Sequence, residues 1–284
     1  MRPATTACRS HWNALRPTSS LTASRSTDAV KLDATTPRFA DPERIKQVVF
    51  EGKYLKCKSV APVLPSAHGR PVLMQAGSSG RGMKFAIQHA DIIFGIQAHV
   101  AGMKKATAGL RQAAQDAGVA HDPVVLYGLQ PILGGTEEEA RRRADELIAR
   151  IPLDAILARL SGVLGHDLSR FDPDDALADM DTQASRGLMA ATASSADGRA
   201  VTLREAASRW ALSVAIPQII GTPEQVADRI EGIWREVGCA GFNLSPTTNP
   251  DSVHDFVDQV VPLLQARGVF RREYTGTTLR EHMM

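Results

Sequence analysis

The residues best suited to do chemistry are Gln75-Ala76-Gly77-Ser78-Ser79, which stand between an apolar run and an amphipathic one. A glycine there lets backbone approach a ligand closely, two hydroxyls add donors, and the N–H groups that follow open a helix. Such a turn favours an anion, above all a phosphate, because the helix dipole places partial positive charge at its first turn. The carboxyl ends of parallel strands are where α/β sheets bind ligands, and this turn falls there. Read more plainly, Ser78 or Ser79 is an ordinary helix cap. His89 and His99 lie nearest in sequence and could face the same site, although a lone helical histidine is more often packed or solvated. His254 and His282 lack metal partners at helical spacing, and the aspartates from Asp172 to Asp181 lack the glycine and terminal glutamate of a calcium loop. Asn243 and Ser245 end a strand, where a ligand contact and a structural role compete equally. No residue is assigned as catalytic, and no metal set is found.

The elements that must position this turn are readable from periodicity. From residue 69 onward short apolar runs alternate with amphipathic segments, the pattern of βα units and a parallel sheet. The strands expected are 71–76, 90–96, 123–129 and 241–245. Thr136 with Glu139, Thr202 with Glu205, and Thr222-Pro223-Glu224-Gln225 are helix starts of capping-box type. Asn249-Pro250 opens a last helix that Pro262 should kink. A hairpin is expected over 47–57, turning at Glu51-Gly52. Between 152 and 200 the pattern degrades, which reads as a long insertion, partly loop, with one apolar stretch over 156–164. Glu137–Glu139 beside Arg141–Arg143 is an exposed, ion-paired helix face.

Composition narrows the class. The 284 residues carry a net charge of +2 and only 5% aromatics, too little of either for a nucleic-acid scaffold. Cys8, Cys57 and Cys239 are far apart and odd in number, so neither disulfides nor zinc is expected, and a cytoplasmic location is. The uncharged run Trp210–Pro223 has 14 residues, short of the ~20 that span a membrane. Residues 1–27 hold Arg2, Arg9, Arg16 and Arg25, many Ser and Thr, and no acidic residue, a composition shared by transit peptides, disordered leaders and misread frames. That segment is set apart from the fold at 28–284.

Residues 69–97, GRPVLMQAGSSGRGMKFAIQHADIIFGIQ, resemble the luciferase-like flavin monooxygenases, in the branch of nitrilotriacetate and dibenzothiophene-sulfone monooxygenases. Further stretches share the likeness: 39–42, 51–55, 221–229, 241–244, 255–265, 267–274 and 276–282. The resemblance implies a (β/α)8 barrel that takes reduced FMN from a separate flavin reductase and uses O2 to oxygenate a small organic substrate, often one containing sulfur or nitrogen. By that similarity Gly77, Ser78 and Ser79 contact the FMN phosphate, and the protein is a homo-oligomer.

Family members are longer than this chain. The match covers their carboxy-terminal part, so about four βα units and an incomplete barrel are expected, with a truncated and inactive form as one reading. A half barrel leaves two sheet edges and one apolar face uncovered, which a second copy could close. The competing readings are a different phosphate-binding barrel enzyme, such as a sugar-phosphate isomerase, and a non-catalytic fragment.

Overall fold

The computed structural model describes residues 24–283 except 27, 32–34, 36, 54, 64, 65, 67, 69, 70, 77–79, 120, 121, 178–191, 194, 196–198 and 215. The chain divides into two compact units, 1–71 and 72–284. In the first, strands β1 (Val48–Glu51) and β2 (Lys56–Ser59) form the expected antiparallel hairpin, with Gly52 N–H donating to Leu55 O across the turn. Residues 24–26 join this unit: Lys46 N–H donates to Ser24 O, and Arg25 bridges Ile45.

The second unit is α/β. In order it contains β3 (Met74–Ala76), α1 (Gly80–His89), β4 (Ile92–Gly95), α2 (Val100–Asp116), β5 (Val125–Leu133), α3 (Glu137–Ala149) and α4 (Leu153–Leu164). There follow α5 (Leu203–Ala211), β6 (Gln218–Gly221), α6 (Pro223–Val237), β7 (Gly241–Leu244), α7 (Asp251–Asp255), α8 (Val261–Ala266) and α9 (Leu279–Met283). All five strands pair in parallel. Four of them are those expected. The fifth, β6, is not expected from the sequence, because Gln218–Gly221 is only four residues and lies inside the longer uncharged run Trp210–Pro223.

The pairing of β5 explains the arrangement. Successive residues of a strand direct their backbone groups to alternate edges. Val124 O accepts from Ile93 on one side, and Val125 O and Leu129 O accept from Ala240 and Ser245 on the other. Gln130 N–H then donates to Pro217 O, so β6 continues along the edge used by β4. The lower sheet therefore runs β3-β4-β5-β7, and β6 pairs only with the upper part of β5. Pro131 fits because its missing N–H falls on the edge that β7 has already left.

Helices α2, α6 and the run from α7 to α8 cover one face. Their inward residues Met103, Leu110, Ile230, Ile233, Val260 and Leu264 pack with Ile93, Val125, Tyr127 and Leu129 of the sheet. Tyr127 is buried, with its hydroxyl on Thr107 Oγ1 (2.9 Å) and Met103 O (3.1 Å), and burial pushes its phenol up. A Cβ on Gly95 would stand 2.4 Å from Tyr127 Cε1, and the doubly bonded ring cannot retreat. Gly95→Ala is therefore expected to cost about 1–3 kcal/mol by overpacking, read from urea unfolding; an unchanged midpoint would refute the contact.

The helix signals hold with two refinements. Thr202/Glu205 and Thr222/Gln225 form complete capping boxes. Thr136 caps α3, but Glu139 reaches back to Gly135 N–H instead of the cap residue, so that box is only half made. In the run from α7 to α8, which α9 follows, the disturbance expected from Pro262 is a π turn over Phe256–Val260, which relieves the clash proline makes with the preceding turn.

Among the described residues of the insertion, α4 packs on α5, the helix that follows it. Leu157, Leu160 and Leu164 of α4 meet Leu203, Ala207 and Trp210 of α5 in a second apolar cluster. Glu205, beside the Arg199 guanidinium and the Thr202 N–H, is held at about 2. A carboxyl with its folded value below the unfolded 4.5 adds stability above pH 4.5 and loses it as pH falls toward 2. Glu137, Glu139, Asp167 and Asp174 are lowered too. The urea midpoint should fall steadily between pH 4.5 and pH 2, and less steeply in Glu205→Gln; a flat profile over that window contradicts the assignment.

Candidate functional site

Parallel partners share a face, so the sheet side turned away from helices α2 and α6 carries Met74, Ala76, Ile92, Phe94, Leu126, Gly128, Gly241 and Asn243. This inner face is apolar or small except at Asn243, and it is partly open: Met74 is 52% exposed, and Ala76 and Asn243 are exposed. A Cβ on Gly128 would meet Ile216 at 2.7 Å, so the segment ahead of β6 closes over the upper end of this face. There the buried Gln130 donates from Nε2 to Leu212 O and accepts from Gln218 Nε2 at 3.0 Å each, which satisfies a polar side chain taken out of water.

Strand β3 ends at Ala76 and the ten-residue α1 begins at Gly80. Gly77, Ser78 and Ser79, the expected phosphate contacts, join these two ends and lie outside the described residues. What brackets them suits an anion: the strand is parallel, they follow its carboxyl end in the chain, and the first turn of α1 holds no acidic residue. Gln75 donates from Nε2 to Ala76 O at 2.8 Å, fixing the strand end.

The other candidates separate. His99 caps α2, its Nδ1 accepting from Gly102 N–H at 3.0 Å, so that helix start is already satisfied. His89 is the last residue of α1, at the amino ends of the strands, and its ring lies tilted against Phe85, centroids 5.0 Å apart. His282 lies on α9 against Tyr274, and His254 on α7. Asn243 reaches the inner face at the upper end of β7, whereas Ser245 N–H closes the ladder to Leu129. Among the described residues no cluster of metal ligands occurs, and no helix is long and apolar enough to cross a membrane. Cys57 and Cys239 are free thiols, and burial pushes the Cys239 thiol up.

Sequence reading missed an ion pair at the opposite end. Arg280 on α9 is bidentate to Asp91 at 2.8 and 2.9 Å, and Asp91 also accepts from Leu73 N–H at 2.8 Å. The Asp91 side chain is 11% exposed, and the pair ties the carboxy-terminal helix to the amino ends of β3 and β4. The only signal was an acidic residue immediately before a strand. Arg280→Ala should cost about 1–3 kcal/mol, since it leaves a largely buried carboxylate without its charge partner; an unaltered melting temperature would contradict this.

A parallel sheet with an anion-suited turn at a strand end and an open apolar inner face belongs to an α/β enzyme scaffold of barrel type. Comparison with known proteins specifies it: the chain belongs to the luciferase-like monooxygenase family, whose model matches residues 35–241. It is 35% identical over 265 residues to N-acetyl-S-(2-succino)cysteine monooxygenase of Bacillus subtilis (strain 168), which covers 90% of this chain and 59% of that protein. It is 33% identical over 262 residues to dibenzothiophene-sulfone monooxygenase of Rhodococcus erythropolis, with 90% and 58% covered. The crystal structure of DmoA from Hyphomicrobium sulfonivorans superposes with a TM-score of 0.83 at 30% identity, over 97% of this chain and 59% of that one. The branch expected from sequence is thus borne out, and the chain spans less than three fifths of the length of these relatives.

Proposed function

We propose that this chain is the carboxy-terminal part of a two-component monooxygenase that uses FMN reduced by a separate flavin reductase, and O2, to oxygenate a small organic substrate. Three relatives are named for organosulfur substrates, namely N-acetyl-S-(2-succino)cysteine, dibenzothiophene sulfone and dimethyl sulfide, and this favours a sulfur compound. The observation that carries the reading is the Gly77-Ser78-Ser79 turn between a parallel strand and a helix free of acidic residues in its first turn, in a chain of this family.

The residues present fit a flavin mononucleotide. Gly77 allows close backbone approach, Ser78 and Ser79 donate to phosphate oxygens, and the opening N–H groups of α1 complete the set. Met74, Phe94 and Leu126 offer the apolar wall that a ring system needs, and they keep water from it. Asn243 is the polar group on that face suited to orient a bound molecule. When bound and reduced, FMN supplies the activation of O2, chemistry that no side chain here can perform.

Calorimetric titration separates this from the sugar-phosphate reading. FMN should bind saturably and at least tenfold more tightly than riboflavin, which lacks the phosphate. Binding of sugar phosphates without FMN, or no saturable binding of oxidised or reduced FMN, overturns the proposal.

A further inference from the structure

Strand β7 leaves β5 early: Leu244 is the partner of Leu129, and β5 runs on to Leu133. Above that point the upper part of β5, the helix α3 and the segment from Thr247 to α7 enclose a cleft of about 170 Å³. Liquid water takes about 30 Å³ per molecule, so a short organic molecule has room there. The cleft stands at the carboxyl ends of β5 and β7, the end of a parallel sheet at which ligands bind. Ile132, Leu133 and Leu147 give it an apolar wall, and Thr247 and Thr248 bring hydroxyls to it.

Four of the residues that line the cleft are charged, and three of these are engaged. Arg143 pairs with Glu139 at 2.7 Å and donates to Leu133 O at 3.0 Å. Glu146 accepts from Arg142 at 2.7 Å. Asp255 accepts from Gln259 Nε2 at 3.3 Å and lies 4.0 Å from Arg143. The fourth, Arg150, has neither an ion pair nor a hydrogen bond from its guanidinium among the described residues. The hydroxyl of the half-buried Thr247 likewise finds no partner among them.

We infer that this cleft binds a small organic monocarboxylate, at a place separate from residues 77–79. The planar fork of Arg150 matches the two oxygens of a carboxylate, and the Thr247 hydroxyl adds a donor. The hydrocarbon body of the acid lies against Ile132 and Leu147, which inorganic phosphate could not use. Asp255 and Glu146 face the same space, so a second negative charge on the ligand is repelled and a dicarboxylate fits less well.

Such binding needs no flavin, so it stands or falls apart from the proposed activity. Butyrate is the probe, and methyl NMR of the full chain reads both affinity and place. Butyrate should shift the Ile132 and Leu147 methyl signals saturably, and butyramide, which lacks the charge, should not. Succinate and inorganic phosphate should bind more weakly than butyrate. Arg150→Gln should weaken butyrate about tenfold or more, with Arg150→Lys in between, since lysine keeps the charge and loses the fork. Arg141→Gln, on the same helix but paired with Glu137 outside the cleft, should stay within about twofold. FMN affinity should be the same in Arg150→Gln and the unaltered chain. Far-ultraviolet circular dichroism checks each fold; if Arg150→Gln fails to fold, Arg150→Lys and Thr247→Val decide, both weakening butyrate. No saturable shift of those methyls, equal binding of butyramide, phosphate or succinate binding as tightly as butyrate, or full affinity in the Arg150 variants overturns the inference.

Discussion

Replacing both Ser78 and Ser79 by alanine should weaken FMN binding by roughly 100-fold or more and leave riboflavin binding within about twofold of the unaltered chain. Hydrogen bonds to a charged acceptor contribute about 1.5–3 kcal/mol each, and every 1.4 kcal/mol is tenfold in affinity. Two hydroxyls at the end of a parallel strand, next to the first amides of α1, are placed by sequence to make such bonds, and Gly77 leaves the approach open. Riboflavin shares the ring system but lacks the phosphate, so a loss confined to FMN reports phosphate recognition and nothing else. Equal weakening of both ligands would mean that the serines serve the fold of the turn. No change in either would move the phosphate site elsewhere.

The second large effect lies on α5, where the insertion packs. Trp210 is 1% exposed at the centre of the cluster built by α4 and α5, its Nε1–H donates to Thr192 Oγ1 at 3.0 Å, and the Arg159 guanidinium lies 5.7 Å from its ring. Trp210→Ala removes the largest side chain of that cluster and leaves a cavity that short neighbours such as Ala206, Ala207 and Ala211 cannot fill. A loss of about 3–5 kcal/mol is expected, measured as a lowered urea midpoint. Trp210→Phe, which keeps most of the volume, should recover more than half of it. A loss below about 1 kcal/mol would show that the cluster is not a packed core.

Much of this was readable in the sequence, for reasons visible residue by residue. Ile92–Gly95 and the first half of β5 are continuous apolar runs because helices cover their outer face, and the threonine caps declare themselves through fixed three-residue spacing. The extent of β5 was not readable. Gln130-Pro131 looks like a strand end, and only the change of partner from β7 to β6 along the two edges makes a proline tolerable there. The apolar stretch 156–164 and the helix after Thr202 were each readable, but that they pack on one another was not, because some forty residues separate them. His89 and His99 looked equally near the turn, yet helix direction sends one to the far end of the sheet and capping occupies the other. Asp91 and Arg280 stand 189 residues apart, a separation at which no local pattern links them.

Whether FMN is held by its phosphate at residues 77–79, after β3, is tested most directly by a crystal structure of the chain with FMN. Phosphate oxygens are expected within about 3 Å of the Ser78 and Ser79 hydroxyls and of the first amides of α1, with the ring system against Phe94 and Leu126 on the inner face. A flavin whose phosphate lies on any other part of the chain, or a turn left without ligand at saturating FMN, would contradict it.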